Sequence, residues 1–411
     1  MPEAVTTLRE PFKLPNGTLL PNRLTKAALS ECLAGEDFSP GDRIKQLYRR
    51  WSTSGAGMTI TGNVMIDRRA IGEPGNVVIE DERHLADIVE WADIVKSHGS
   101  VALVQINHPG RQVMRTLSAH PVAPSPIVTP GMAGTFAVPR ELTHDEILDI
   151  IARWARTAGI VTRAGFDGVQ IHGAHGYLVS QFLSPLANQR TDQWGGSPEN
   201  RRRFLLELVS AVRAEIGDAV LAVKLNSADF QRGGFDQDES LEVVRALAAA
   251  GIDLLEISGG TYSSAAMIGV AKEVKESTRQ REAYFLDYAV RVRAELPDLP
   301  LMLTGGFRSA EAMADAINSG AVDIIGLARP LAAYPDLPAG LLDGGVTATE
   351  LRVPRTGLRL IDSVSGLAHY TVQMWRMADG LEPAPRRHPA LTTARYIART
   401  GIDGARLPKR G

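Results

Sequence analysis

The chain has a single cysteine, Cys32, among its 411 residues. An internal disulfide needs two cysteines and a cysteine-ligated iron–sulfur cluster needs several thiolates, so both are excluded. We expect the Cys32 thiol, just after the first apolar run, to be buried or half-buried.

The chain also lacks a charge excess and a long hydrophobic run. Lys and Arg (45) nearly balance Asp and Glu (47), which leaves a formal net charge of −2 and argues against a nucleic-acid partner. No apolar run approaches the ~18 residues of a membrane span. The first twelve residues carry Glu3, Arg9 and Glu10 instead of the apolar region of a signal peptide. We therefore expect a soluble cytoplasmic protein with no membrane partner.

Eight short apolar runs alternate with longer segments of helical period. Runs that are apolar throughout are typical of parallel strands covered on their outer face. They span residues 23–30, 58–66, 101–107, 168–173, 220–226, 254–258, 301–304 and 324–327.

The intervening segments carry helix signals. Thr143 and Glu146 fit a capping box, Ser197 precedes Pro198 as a cap precedes a first helical position, and Ser309 can cap a third helix. On the helix after the second strand, Leu85, Ile88, Val89, Ala92 and Val95 form the expected core face.

Eight strand–helix alternations favour a closed parallel (β/α)8 barrel of the TIM type over an open doubly wound sheet. No G-x-G-x-x-G motif follows the first strand, which further disfavours the open sheet. Residues 109–139 are rich in Pro, Gly, Ser and Thr and predict a long loop over one mouth of the barrel. We expect the barrel to span 12–345 and a C-terminal extension, 346–411, to contain a helix near 366–377 and a basic frayed tail.

In such barrels the functional residues gather where the strands end. The fourth strand ends in a cluster of His172, His175 and Tyr177 among glycines. Neutral imidazoles can donate hydrogen bonds to a carbonyl oxygen, and a positioned phenol can donate a proton. Two structural histidines and a zinc pair are the alternatives, although no acidic or cysteine ligand lies nearby in sequence.

Two further strands carry a polar residue within an apolar run. The Gln105 amide offers both a donor and an acceptor, which suits the edge of a pyrimidine-like ring. Lys224 is a cation within the fifth strand and needs a partner charge. An anionic reduced flavin, a phosphate or a structural salt bridge would each satisfy it.

The ends of the seventh and eighth strands resemble a phosphate site. Gly305 and Gly306 precede a helix, and Ala328 and Arg329 follow the last strand. Backbone N–H groups at a glycine-rich turn together with an arginine can bind a phosphate, although glycines also serve tight turns.

Taken together, these residues resemble the Old Yellow Enzyme family of FMN-dependent ene-reductases, from about residue 12 to about residue 335. The most specific stretch runs from His172-Gly173-Ala174-His175-Gly176-Tyr177 to Gln181-Phe182-Leu183-Ser184-Pro185 and ends at Glu199-Asn200-Arg201.

The resemblance implies a role for each candidate residue. His172 and His175 would hydrogen-bond the activating carbonyl of the substrate, and Tyr177 would be the proton donor. The residues implied in non-covalent FMN binding are Ala27, Ala28, Leu29, Ser30, Asn63, Gln105, Lys224, Gly305, Gly306, Ala328 and Arg329. Ser30 stands where the family has a Thr or Cys near flavin O4, and no metal is implied.

Three positions depart from the family's pattern. Lys224 stands where many members have an arginine, so it keeps the charge without the planar fork. Ala328 replaces a common glycine but keeps the backbone N–H. Asn107 replaces a residue that is often aromatic and shapes the substrate pocket, which leaves the substrate preference open.

The implied reaction is a ping-pong reduction of the activated C=C bond of an α,β-unsaturated carbonyl compound. NADPH or NADH would reduce FMN, and the flavin would then deliver hydride to the enone. The alternatives are a flavin barrel acting on amines or dienoyl esters, a flavin-free barrel using Lys224 as a Schiff-base amine, and a flavin-storing protein. A homo-oligomer stays open.

Overall fold

A closed parallel barrel forms the centre of the molecule. The computed structural model describes residues 3–129, 136–258, 274–349, 351 and 359–406. The barrel strands are β1 (Leu24–Lys26), β2 (Met58–Ile60), β3 (Val101–Asn107), β4 (Gly168–Gly173), β5 (Val220–Asn226), β6 (Leu254–Ser258), β7 (Leu301–Thr304) and β8 (Ile324–Leu327).

Each strand pairs in parallel with the next along the chain, and β8 pairs with β1 to complete the cylinder. This closure confirms the TIM (β/α)8 prediction and excludes the open sheet. Short accessory strands lie at 12–13, 19–20, 64–65, 77–78, 122–123 and 140–141.

Helices surround the strands. They are α1 (Glu3–Arg9), α2 (Asp42–Ser52), α3 (Leu85–Lys96), α4 (His144–Arg163), α5 (Leu178–Leu183), α6 (Pro198–Ile216), α7 (Gln237–Ala249), α8 (Val274–Glu295), α9 (Ala310–Asn318), α10 (Arg329–Ala333), α11 (Leu337–Asp343), α12 (Arg359–Ala378) and α13 (Pro389–Arg406). Among the described helices, none is long and apolar enough to cross a membrane.

The three predicted helix starts are confirmed. The Thr143 hydroxyl accepts from the Glu146 N–H, and the Glu146 carboxylate accepts from the Thr143 N–H, which completes the capping box of α4. Ser197 caps α6 with Pro198 in its first turn, and Ser309 caps α9. These bonds satisfy amide groups that the first turn of a helix leaves without an internal acceptor.

The first two strands are shorter than predicted. The segment predicted at 23–30 is a strand only over Leu24–Lys26, and the segment predicted at 58–66 is interrupted between Ile60 and Val64. Gly62 lies within the interruption and permits a close approach to the loop after β1, because a Cβ there would lie 1.9 Å from Glu31 Oε2. The loops after β1 and β2 therefore pack against each other above the barrel instead of continuing the sheet.

The C-terminal extension is helical. Helix α12 contains the segment predicted at 366–377, and it packs on α2, α10 and α13. A second helix, α13, follows and ends at Arg406, and Tyr396 stacks on Trp375 with ring centroids 5.8 Å apart. The basic frayed tail stays a prediction. Residues 407–411 lie outside the described part.

Side-chain alternation along the strands divides the barrel interior into layers. The lowest layer is apolar and is covered by Leu14 and Leu20 from the N-terminal hairpin; its strand members are Met58, Ile60, Val101, Leu103, Val220, Ala222, Leu254, Met302 and Ile324. The next inward position of β3, β4, β5 and β6 is polar in each case. The interior thus changes from apolar to polar towards the carboxyl ends of the strands.

Candidate functional site

A chain of buried polar side chains crosses the barrel below its carboxyl-terminal mouth. Gln105 Nε2 donates to Gln170 Oε1 (2.7 Å), and Gln170 Nε2 donates to Glu256 Oε2 (2.7 Å). Glu256 Oε1 lies 2.8 Å from Lys224 Nζ, and both side chains are buried. The strand register places Gln105 opposite Gln170 and Lys224 opposite Glu256. These four side chains thus form a continuous polar network that connects β3, β4, β5 and β6 beneath the site.

The partner of Lys224 is therefore a structural carboxylate, Glu256. The structure thus supplies the structural salt bridge among the three partners that the sequence left open, and a contact of Lys224 with the cofactor stays a prediction. Glu256 was missed, although it interrupts the apolar run of β6 in the same way that Lys224 interrupts β5.

His172 lies at the end of β4 and is buried. Its Nδ1 accepts the Ala174 N–H at 3.2 Å, so the neutral ring carries its proton on Nε2. Burial, followed by the neighbouring His175 and Lys224, lowers the pKa of His172 well below its ordinary value. The imidazole is thus neutral and can still donate from Nε2.

His175 is fixed through its backbone as well as its ring. Its φ of 63° is left-handed, which is unusual for a residue with a Cβ. Its N–H donates to Asn226 Oδ1 (3.2 Å), and its carbonyl accepts from Gln112 Nε2 (2.9 Å). Ring atom Nε2 lies 2.9 Å from Ser258 Oγ. Burial and then the charge of Lys224 lower the pKa of His175 well below its ordinary value.

The three residues predicted as catalytic are close together. The His172 ring centroid lies 5.0 Å from that of His175 and 5.0 Å from that of Tyr177, with edge-to-face geometry in both pairs. Tyr177 is buried and immediately precedes α5. The short spacing in sequence therefore becomes a compact cluster of two neutral imidazoles and a phenol.

The loop after β1 carries four of the residues predicted to bind the cofactor. Ala27 is buried, and its N–H donates to the Leu327 carbonyl of β8 at 3.0 Å, whereas Ala28, Leu29 and Ser30 are half-buried. The Ser30 hydroxyl donates to the Glu73 carboxylate. Cys32 is buried, as expected, and its Sγ lies 3.7 Å from Glu73 Oε2. Burial raises the pKa values of Cys32 and Glu73.

Two buried asparagines near the mouth have unsatisfied amide atoms. Within the described part of the chain, Asn63 Oδ1 and both amide atoms of Asn107 have no hydrogen-bond partner. A buried polar atom without a partner is costly, and a bound ligand is one way to satisfy it. Asn63 follows β2, and Asn107 ends β3.

The predicted phosphate residues lie at the ends of two paired strands. Thr304 at the end of β7 is opposite Gly326 of β8, which brings Gly305 and Gly306 beside Ala328 and Arg329. Gly305 has a φ of 139°, and nothing lies within 4 Å of the position of a Cβ there. No carboxylate of the described residues forms an ion pair with Arg329. Its guanidinium carbon lies 6.0 Å from the centre of the Tyr370 ring on α12.

The described residues contain no group of three or more His, Cys, Asp or Glu side chains that could hold a metal ion. The zinc alternative for His172 and His175 therefore has no further ligand in that part of the chain. The contacts of His175 are with an asparagine, a glutamine and a serine instead.

A family model matches residues 7–344, and it describes the NADH:flavin oxidoreductase / NADH oxidase family. The chain belongs to this family. It is accordingly a flavin oxidoreductase, and the likeness to Old Yellow Enzyme that the sequence predicted is confirmed.

Relatives in this family span most of the chain. The NADH-dependent flavin oxidoreductase iliE of Hypocrea jecorina (strain QM6a) is 40% identical over 351 residues, which are 80% of this chain and 87% of that protein. The NADPH dehydrogenase of Geobacillus sp. (strain WCH70) is 29% identical and is matched over 81% of this chain and 93% of its own length.

Solved structures of the family have the same fold. The old yellow enzyme homologue from Zymomonas mobilis has a TM-score of 0.71 and 26% identity, covering 84% of this chain and 95% of that one. A 2-naphthoyl-CoA reductase bound to 2-naphthoyl-CoA has a TM-score of 0.75 and 27% identity, covering 83% of this chain and 52% of that one.

The residues at the mouth fit a flavin nucleotide, the cofactor of this family of flavin oxidoreductases. The unsatisfied Asn63 and Asn107 amide atoms offer polar contacts to a heterocyclic ring. The open space at Gly305 offers room for a phosphate, and Arg329, which pairs with no carboxylate of the described residues, offers charge for it. These observations are independent of the resemblance that first suggested the positions.

Proposed function

We propose that this flavin oxidoreductase is an FMN-dependent ene-reductase that uses NADH or NADPH to reduce the activated C=C bond of α,β-unsaturated carbonyl compounds. The observation that carries the proposal is the cluster of His172, His175 and Tyr177. Its two imidazoles are neutral, and the Ala174 N–H, which donates to Nδ1 of His172, leaves Nε2 of that ring as the donor.

The two histidines would hold the substrate's carbonyl oxygen. As hydride reaches the β-carbon of an enone, negative charge develops on that oxygen, so fixed N–H donors stabilise the transition state more than the ground state. Burial, with a smaller contribution from the nearby Lys224 charge, lowers both histidine pKa values, which favours neutral donors over imidazolium ions.

Tyr177 would complete the reduction by protonating the α-carbon. Its ring lies edge-to-face with His172, so its place relative to the carbonyl-binding groups is set by the turn between β4 and α5. A phenolic hydroxyl carries a proton that it can donate, so Tyr177 can serve as the general acid.

FMN, when bound, supplies the two-electron chemistry by accepting hydride from the nicotinamide and passing it to the enone. The chain's own part is to bind it through the loop after β1, Asn63, Gln105, Lys224, the Gly305–Gly306 turn, Ala328 and Arg329. The names of the NADH-dependent fungal relatives support NADH as the donor, and that of the Geobacillus relative supports NADPH.

The buried ion pair of Lys224 argues against the Schiff-base alternative. A Schiff base on Lys224 would break its ion pair with the Glu256 carboxylate at 2.8 Å and leave that buried carboxylate without its partner. The division into a barrel, 12–345, and an extension, 346–411, stays a prediction, which the end of the family match at 344 supports. The cytoplasmic location and a homo-oligomeric state also stay predictions.

The test is the visible absorption spectrum of the purified protein during an anaerobic titration. We expect flavin bands that bleach with NADH or NADPH and return when cyclohexenone is added. Cyclohexanone, which has the carbonyl but no C=C bond, is the matched control and should leave the reduced flavin unchanged. A colourless protein that takes up no FMN would contradict the cofactor, and reduced flavin that reoxidises only with oxygen would contradict the enone.

A further inference from the structure

We propose that the Ser258 hydroxyl is a positioning group that holds His175 in the tautomer with its proton on Nδ1. Ser258 is not among the residues that the resemblance assigns. The meaning of this tautomer for an enone rests on the proposed function, whereas the tautomer itself can be measured without any substrate.

The strand places the Ser258 hydroxyl beside the ring. Ser258 is the last residue of β6 and is buried, and its Oγ lies 2.9 Å from His175 Nε2. Its carbonyl accepts the Ser227 N–H at 2.7 Å, which ties the strand end to the neighbouring β5 segment. The hydroxyl oxygen thus sits on a fixed element.

The backbone places the ring independently of Ser258. Asn226 holds the N–H of His175, and Gln112 holds its carbonyl, at 3.2 and 2.9 Å. These contacts fix the left-handed turn from which the imidazole projects. Removal of the Ser258 hydroxyl should therefore change the position of the ring proton more than the position of the ring.

The neutral ring of His175 has two possible tautomers, and they differ in what Nδ1 offers to a substrate. A neutral imidazole has one N–H, and Nε2 of His175 is already engaged by Ser258. If Nε2 held the proton, Nδ1 would present only a lone pair, which repels a carbonyl oxygen. If Ser258 donates to Nε2, the proton is on Nδ1, and the remaining nitrogen is a donor. Only the second case lets His175 polarise a carbonyl.

The two histidines would then be opposite tautomers. The Ala174 N–H occupies Nδ1 of His172 and leaves Nε2–H as its donor, whereas Ser258 occupies Nε2 of His175 and leaves Nδ1–H. Each ring is held by one contact at the nitrogen that the substrate does not use. In a neutral imidazole, the hydrogen-bond partner of one ring nitrogen decides whether the other nitrogen is a donor or an acceptor.

The experiment uses the flavin-loaded protein with 15N-labelled histidine. Ring-nitrogen chemical shifts in a two-dimensional NMR spectrum distinguish the Nδ1–H and Nε2–H tautomers, and the His175→Asn variant identifies the signals of His175. We expect Nδ1–H for His175 and Nε2–H for His172 in the unsubstituted chain. Nε2–H for His175 would overturn the proposal before any Ser258 variant is made.

Variants separate the hydroxyl from the packing around it. Ser258→Ala should shift His175 towards the Nε2–H tautomer. It should also weaken the binding of a phenol ligand, whose oxygen takes the place of the carbonyl oxygen. The expected loss of affinity is about tenfold, which corresponds to one lost hydrogen bond. Ser258→Thr keeps the hydroxyl and should restore both properties. Ser100→Ala removes a buried hydroxyl bonded to Thr59 (3.0 Å) before β3 and should change neither.

The outcomes also separate this proposal from the proposed function. An unchanged His175 tautomer in Ser258→Ala would overturn the positioning role even if the enzyme reduces enones. The expected tautomers in a protein with no enone turnover would support the positioning role and contradict the substrate class.

Discussion

The backbone of His175 has a φ of 63°, a conformation that costs a non-glycine residue on the order of 1–3 kcal/mol. Hydrogen bonds to Asn226, Gln112 and Ser258 offset that cost and fix both the turn and the ring. The histidine at this position is therefore preorganised before a substrate arrives, which reduces the reorganisation needed during the reaction.

Tyr177→Phe tests the proton donor. The variant should bind flavin and be reduced by the nicotinamide as before, while the rate of flavin reoxidation by cyclohexenone falls by about 10²-fold or more, the typical contribution of a general acid. Stopped-flow measurement of the two half-reactions separates these effects. Tyr334→Phe is the control, because Tyr334 is 40% exposed at the end of α10. Unchanged reoxidation in Tyr177→Phe would remove Tyr177 from the mechanism.

At the residue scale, the sequence predicts the three residues of the cluster better than the residues that hold them in place. His172, His175 and Tyr177 are separated by only a few residues, so one strand end identifies all three. Ser258 is 83 positions from His175 and meets it only because β4, β5 and β6 are adjacent in the barrel. Such a contact depends on strand register, which a single sequence does not reveal.

At the scale of elements, β5 and β6 are joined by the Lys224–Glu256 ion pair as well as by backbone hydrogen bonds. A buried pair contributes little net stability, yet removal of one partner leaves a buried charge uncompensated. Glu256 also accepts from Gln170, so the pair belongs to a hydrogen-bonded network that reaches β3 through Gln105.

Lys224→Met should therefore lower the free energy of unfolding by about 3–5 kcal/mol, because the Glu256 carboxylate loses its counter-ion. The double variant Lys224→Met with Glu256→Gln removes both charges, keeps an acceptor for Gln170 and should recover a large part of the loss. Urea denaturation of the flavin-free protein measures both. A double variant as unstable as Lys224→Met would show that the destabilisation comes from packing rather than from the unpaired charge.

Element boundaries were predicted well wherever the chain stays in the sheet. The bounds of β3 to β8 match the predicted runs, whereas β1 and β2 end early, and Gly62 lets the loops after them approach each other. Helix faces show a similar limit: Val89, which was predicted in the core face of α3, is 38% exposed, while Trp91 on the same helix is buried. Apolarity indicates which segments are regular, but tertiary packing decides where they end and which face is buried.

At the scale of the whole molecule, the extension reaches the barrel mouth. Trp375 on α12 donates from Nε1 to the Glu31 carbonyl at 3.0 Å, and the Glu31 carboxylate accepts the Gly62 N–H at 2.9 Å. Helix α12 therefore supports the two loops that interrupt the sheet. The sequence predicted a helix in this region and left open a cover over the barrel mouth or a subunit contact; it did not predict the contact between Glu31 and Trp375, which are 344 positions apart.

The buried histidines also make the stability of the whole molecule depend on pH. The pKa values of His172 and His175 in the folded chain lie well below the ordinary value of 6.5. Below pH 6.5 these two histidines bind more protons in the unfolded chain than in the folded chain, so their contribution lowers the free energy of unfolding with decreasing pH. One histidine that stays neutral when folded contributes at most about 1.4 kcal/mol per pH unit to this slope.

Replacing both histidines with asparagine should flatten the slope of unfolding free energy against pH below pH 6.5, where the two residues contribute. Urea denaturation at a series of pH values, with the same flavin content for every sample, measures this slope. His120→Asn is the matched control, because it makes the same substitution at an exposed position and leaves the buried cluster intact. A double variant with an unchanged slope would mean that other groups, such as the buried His108, whose pKa is lowered by burial to about 4, govern the acid sensitivity of the fold.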